Sequence, residues 1–255
     1  MRSALLAALI CPPLFCAALP LAGHAEDAPA PKLGPNAVLL STDNAYLRGS
    51  PAPDYWALSS FVKPQFTTSA CGVASVTAAV NGLAGLPANA EDTVMSQPEL
   101  LDLVGDDTWK AISAEGGDGV KFEQLVEYAS KAMAARGLND SVTVFHPADS
   151  SPTPTPDQGA TLREWLAANE ASASDALLVY FNQGVVTGDW DGPHVSVIGA
   201  YDAAADRVLI LEVDQEWYTP YWTPVDVLLD AMLKPTSAEH GVLEGQTGGL
   251  VRLAL

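Results

Sequence analysis

The chain has 255 residues, of which 31 are acidic and 12 basic, for a net charge of −19. The acids are scattered instead of gathered in a block, so the charge describes a solvated surface and argues against nucleic acid or an anionic membrane as a partner. Its three cysteines are too few for a disulfide framework.

Arg2, the apolar run behind it and the small-residue site Gly23-His24-Ala25 form a secretory signal with a cut expected after Ala25. Pro12, Pro13 and Pro20 interrupt the run, which disfavours a permanent membrane helix, and Cys11 and Cys16 lack the small residue that precedes the cysteine of a lipoprotein site. A periplasmic or secreted protein, with no membrane partner after cleavage, is therefore expected. The 25-residue cut removes one base and no acid, so the charge becomes −20, and the remaining 230 residues suit one domain with a sizeable core. Cleavage also takes two cysteines and leaves Cys71 alone. A lone thiol in an oxidising compartment is either buried and inert or kept because it reacts.

Residues 26–36, rich in Pro and Ala, read as an extended leader outside a domain spanning 37–255. Val73, Val76, Val80 and Leu83 stand at helical spacing and predict a buried helix over 71–82. Val120, Leu125, Ala129 and Met133 mark one face of a second helix over 119–136, with Gly137 as its stop. SVTVFH at 141–146 predicts a strand, and the proline-rich stretch from His146 to Gly159 an exposed loop. A short helix from Leu162 to Ala171 precedes three strands, 176–182, 194–201 and 207–213, in an antiparallel sheet, the last two joined by a tight turn near Ala203. Thr223-Pro224 reads as the capped start of another helix, and the final GLVRLAL as an edge strand. The fold class is α+β, helical in its first half and strand-rich in its second.

Cys71 opens the first of these helices, where unpaired backbone N–H groups and the positive end of the dipole favour a thiolate. Gly72 beside it leaves room for a substrate, while the bland alternative for the pair is a small buried core element. Gln65, six residues upstream, is far enough away to fold its amide back beside the sulfur and donate to an oxyanion, as a glutamine of papain-like enzymes does; a plain loop residue fits equally. His194 opens a strand, and the turn near Ala203 sets it opposite Glu212, with Cβ atoms about 5 Å apart on one face. A carboxylate there accepts from one ring nitrogen and leaves the other aimed at the thiol. Asp214, two residues further along the same face, is the reserve for that role, and surface polar pairing is the alternative for the whole hairpin. Trp217, Tyr218, Tyr221 and Trp222 either line a cleft or cover the edge of the core. His146 and His240 lack metal-ligand spacing, and no metal site is expected.

The segments KPQFTTSACGVASVTAAVNGL and GPHVSVIGAYDAAADRVLILEVDQEWYTPYWTPVDVLLDAM resemble the phytochelatin synthase catalytic domain in order and spacing. The likeness runs on through Tyr218, Pro220, Trp222 and Pro224 to Ala231-Met232 and covers most of residues 40–255, as in bacterial relatives without the cysteine-rich extension of plant members. The resemblance implies a papain-like α+β fold and a site of Gln65, Cys71 with Gly72, His194 of an H-x-S-x-I-G-x-Y segment, and Glu212; Gly72, Tyr218 and Asp214 are the residues expected to bind substrate. Glu212 stands where that family usually has Asp, Gln215 where it commonly has Arg, and Gly248-Gly249-Leu250 where an Arg-Gly-aromatic stretch is usual, so two cations that would bear on a substrate carboxylate or on a second substrate are missing.

The implied reaction is acyl transfer on glutathione or a similar γ-glutamyl peptide, through a γ-glutamylcysteinyl thioester on Cys71 that passes to water or to a second glutathione. No prosthetic group is implied, and cadmium or zinc would enter through the thiolates of the substrate. A papain-like peptidase acting on another peptide, and a peptide-binding protein with weakened catalysis, are the alternatives.

Overall fold

The computed structural model describes residues 31–138 and 141–255. The expected signal and residues 26–30 of the leader lie outside them. Strand alternation in the second half decides the architecture. Among the described residues, seven antiparallel strands, β1 (Val38–Leu39), β2 (Ser141–Phe145), β3 (Asp175–Asn182), β4 (Pro193–Asp202), β5 (Arg207–Leu211), β6 (Tyr221–Pro224) and β7 (Gly249–Ala254), form one sheet in the order β1-β6-β5-β4-β3-β7-β2. Along β3, Ala176, Leu178 and Tyr180 point into one apolar cluster and Leu177, Val179 and Phe181 into another. A sheet apolar on both faces has to be covered on both.

The first half of the chain covers one face, with α1 (Ala45–Gly49), α2 (Pro53–Leu58), α3 (Cys71–Ala84), α4 (Gln97–Val104), α5 (Asp107–Ile112) and α6 (Phe122–Ala135). The small residues of α3 let it lie close against β3 and β4, and Trp109 of α5 stacks on Tyr128 of α6 with ring centroids 4.7 Å apart. The other face carries α7 (Pro156–Asn169), α8 (Gln183–Thr187) and α9 (Val225–Leu233).

Several expectations change. The helix expected over 162–171 starts at Pro156, because Thr155 and Gln158 form a capping box within the proline-rich stretch and Pro156 sits in the first turn, where its missing N–H costs nothing. Thr223 caps no helix: it is buried inside β6, and α9 begins at Val225 behind Pro224. The final run is not an edge, since β7 lies between β3 and β2; Leu250 faces one cluster and Val251 and Leu253 the other, as an interior strand requires. The latter half of the leader is packed on the domain, with Leu33 against the second cluster and Gly34 N–H donating to the Thr187 carbonyl.

Asp54, in the first turn of α2, is fully buried beside Asp175 and accepts from the side-chain amide of Asn169. Asp54 Oδ1, Asn169 Oδ1 and Asp175 Oδ1 are buried with no donor, a deficit that a proton on Asp54 relieves. Burial, then the charges of Asp175 and Glu170, push the Asp54 carboxyl up to about 8. Because its unfolded value is about 3.9, the folded chain holds the extra proton between those limits, and this group's stabilisation is lost as pH rises from about 4 through 8. Asp54→Asn is expected to flatten that part of the pH–stability profile and to exceed the wild type at pH about 9, as read from urea midpoints; an unchanged slope would show that Asp54 ionises normally.

Candidate active site

The turn before Cys71 is tied down by its hydroxyls. Thr67 Oγ1 and Ser69 Oγ each donate over 2.6 Å, to the carbonyls of Ser113 and Gly117, and Thr68 Oγ1 donates to Glu115 over 2.7 Å. These bonds fix the entry to α3, whose first residue is the half-buried Cys71. One turn later, Ser75 Oγ donates to the Val195 carbonyl over 3.1 Å, locking α3 to β4 one residue beyond His194. Gly72 does not open the site to a substrate as expected: it is buried, and a Cβ there would lie 2.9 Å from Val120 Cγ2, so the glycine serves close packing of the helix.

His194 is 3% exposed and Glu212 fully buried. The β4–β5 ladder pairs Val197 with Leu211 and Ile198 with Ile210, and shifts register across Gly199, where a Cβ would meet Leu211 Cγ at 2.6 Å. Continued outward, that register puts Ser196, not His194, opposite Glu212, and His194 opposite Asp214. The expected pairing is thus off by two residues, because a four-residue turn with Asp206 at φ 51° moves the register on by three and the bulge takes one residue back. The face is nevertheless shared, and the longer Glu side chain reaches along the diagonal: Glu212 Oε1 lies 2.6 Å from His194 Nε2. The same oxygen accepts from the Asp214 N–H at 2.7 Å and from Ser196 Oγ at 3.3 Å, while Oε2 accepts from Gln183 Nε2 at 3.1 Å.

With Nε2 committed to Glu212, Nδ1 is the nitrogen left to face Cys71, whose sulfur favours the protonated ring. Burial alone would push His194 down and Glu212 up. The opposite happens, because each holds the charge of the other: His194 is raised by Glu212 and Cys71, and Glu212 is lowered by His194 and by the N–H groups of Asp214 and Val213.

A cleft of about 430 Å³ opens on Cys71 and His194, with Gln65, Asp214, Asp189, Trp217 and Tyr218 among its walls. Gln65 Nε2 points to the Thr68 carbonyl and to Asp214 Oδ1, both at 3.4 Å. Asp214 therefore pairs with Gln65 rather than His194, and burial raises its carboxyl. Tyr218 is buried with its hydroxyl on Asp189 at 2.9 Å. Trp217 is an exposed cleft wall, whereas Tyr221 and Trp222 are core residues of β6, so the aromatic cluster divides between the two roles expected of it. Gln215 donates to the Glu212 carbonyl and faces a neighbouring pocket of about 570 Å³, and Gly248 packs on the Tyr180 carbonyl; neither lines the cleft.

His146 bonds Asp149 and Thr247, and His240 bonds the Asp191 carbonyl and packs edge-on behind Trp190 of the cleft wall; neither histidine lines the cleft. Among the described residues no three His, Cys, Asp or Glu side chains cluster as metal ligands, and no helix is long and apolar enough to cross a membrane. Sequence reasoning missed Ser196, Gln183, Asp189 and Lys32. Only Ser196 left a signal, lying two residues from His194 on the same strand face.

Residues 41–240 match the phytochelatin synthase family. Similar proteins include glutathione gamma-glutamylcysteinyltransferase 1 of Triticum aestivum, 26% identical over 203 residues that make up 78% of this chain and 36% of that protein. Another is glutathione gamma-glutamylcysteinyltransferase 3 of Lotus japonicus, 25% identical over 186 residues, 70% of this chain and 34% of that protein. Glutathione gamma-glutamylcysteinyltransferase 2 of Arabidopsis thaliana is 25% identical over 201 residues, 74% of this chain and 38% of that protein. The chain thus spans little more than a third of the length of these relatives. It belongs to the phytochelatin synthase family.

Glu212 is what keeps a buried imidazole protonated, so His194 is expected to remain imidazolium at pH 8 and to turn neutral by pH 7 in Glu212→Gln, while Asp214→Asn changes it little. Imidazole ¹⁵N shifts report the state directly. Equal effects of the two substitutions would mean that Asp214 shares the role.

Proposed function

We propose that Cys71 and His194 carry out acyl transfer on glutathione, with Glu212 orienting the imidazole. The arrangement of His194 between the thiol of Cys71 and a fully buried, fully hydrogen-bonded Glu212 carries this reading, and membership of a family whose curated relatives are named for that activity supports it. Cys71 attacks as a thiolate paired with the His194 imidazolium, its sulfur bonding the Cys–Gly carbonyl carbon. The C–N bond then breaks, His194 gives its proton to the departing glycine amine, and a γ-glutamylcysteinyl thioester is left. Gln65 and the Cys71 N–H would face the oxyanion, which requires the amide of Gln65 to turn from its long contacts with Thr68 and Asp214.

Water or the amine of a second glutathione completes the cycle, giving γ-glutamylcysteine or a phytochelatin. Hydrolysis predominates in this reading, because among the described residues the cleft offers one lysine against the carboxylates of Asp189 and Asp214 and so holds a second anionic peptide poorly. Cadmium or zinc acts as a thiolate complex of the substrate, and the reaction takes place in the periplasm or outside the cell.

Chromatography of thiol products at millimolar glutathione, with and without cadmium, tests this. Glycine and γ-glutamylcysteine are expected as the dominant early products of the wild type and neither from Cys71→Ala, whose fold should be unchanged. Phytochelatin as the main early product would overturn the preference for water, and glycine release by Cys71→Ala the nucleophile.

A further inference from the structure

Lys32 is the only Lys or Arg among the described residues that line the cleft. It lies on the extended segment ahead of β1, which is held against α8 by the Gly34 N–H on the Thr187 carbonyl and, loosely, by the Asn36 amide on the Val185 carbonyl. Its ammonium lies 2.7 Å from Asp189 Oδ2, and 4.5 and 4.8 Å from the ring centroids of Tyr218 and Trp217. Asp189 is in turn fixed by the Tyr218 hydroxyl. An ammonium has three N–H donors, and one carboxylate contact leaves others open, consistent with a side chain 48% exposed. Asp189 and the rings therefore hold the cation at the cleft without closing it off. Lys32, Trp217 and Tyr218 also border the neighbouring pocket that Gln215 faces, and among the described residues no other lysine or arginine lines either space.

We infer that Lys32 is a specificity-determining residue that binds a carboxylate of the substrate, making the segment before β1 a wall of the active site. The inference rests on the reading of the cleft as a site for an anionic peptide, and it predicts that removal of the charge weakens binding of anions and leaves the thiol chemistry intact.

Two alkylating agents that differ by one charge separate these effects. Iodoacetate and iodoacetamide each react with Cys71 by forming an S–C bond as iodide leaves, and only the first is a carboxylate. Lys32→Met keeps the aliphatic stem against Trp217 and Tyr218 and removes the ammonium, while Lys32→Arg keeps the charge. At low ionic strength the ratio of iodoacetate to iodoacetamide rates is expected to fall several-fold, up to roughly tenfold, in Lys32→Met, to be kept in Lys32→Arg, and to fall with added salt in the wild type. The KM for glutathione should rise by a similar factor in Lys32→Met with kcat changed less. A ratio unchanged by Lys32→Met, or lowered equally by Lys32→Arg, overturns the inference. Alkylation needs no turnover, so a wild type that releases no glycine but shows the expected ratios would sink the proposed reaction alone. Normal glycine release with an unchanged ratio would sink the role of Lys32 alone.

Discussion

The His194–Glu212 pair is the constraint on which the rest of the molecule depends. Removing a carboxylate and an imidazolium from water costs several kcal/mol per ion, and their attraction offsets this only when the remaining hydrogen-bonding capacity is filled. Glu212 meets that condition with three donors on one oxygen and one on the other. The donors come from β4, from the segment that leaves β5 and from α8, so all three must be placed together. Loss of one ion of such a pair costs about 3–5 kcal/mol, because the other is left uncompensated. The register of the central hairpin is therefore an electrostatic requirement as well as a packing one.

That register also explains where the site lies. His194 and Glu212 belong to the face covered by α7, α8 and α9, whereas Cys71 belongs to a helix on the opposite face. A thiol on one side of a sheet reaches an imidazole on the other only past the end of a strand. His194 is the second residue of β4, and the bond from Ser75 to the Val195 carbonyl fixes the start of α3 at that end. The helical half of the chain thus supplies the thiol and the sheet half the imidazole, and the Ser75 hydroxyl ties the two halves at that junction.

Much of this was legible in the sequence because it is periodic. The spacing in α3 and the alternation in β3, β4 and β5 are dictated by burial, and burial leaves a pattern. His194 and Glu212 were placed on one face although the assumed pairing was wrong by two residues, because a two-residue slip preserves the face. What stayed hidden is set by local hydrogen bonding or by context. The capping box at Thr155 lay inside a stretch dominated by prolines, which drew attention to breaking a helix and away from starting one. The interior position of β7 depends on β2 pairing outside it, a long-range fact that no local pattern carries. Gly72 had the right neighbour in Cys71, but the side chain it accommodates is Val120, from a distant loop.

Lys32 was the least legible site residue, and the reason is physical. An extended, Pro- and Ala-rich segment makes no periodic pattern, and its docking rests on a few hydrogen bonds, each contributing about 1 kcal/mol, together with the contact of Leu33. The two charged devices of the site therefore sit at opposite ends of the stability scale. Glu212, fully buried, holds its charge through hydrogen bonds donated from β4, from α8 and from the segment that leaves β5. Lys32 holds its charge on a segment docked by few bonds, where its ammonium and its partner Asp189 both stay partly exposed. In a chain of net charge −19, a buried cation at the cleft would be claimed by the surrounding acids. A half-exposed one, braced by aromatic faces, remains free to exchange partners with an incoming anion.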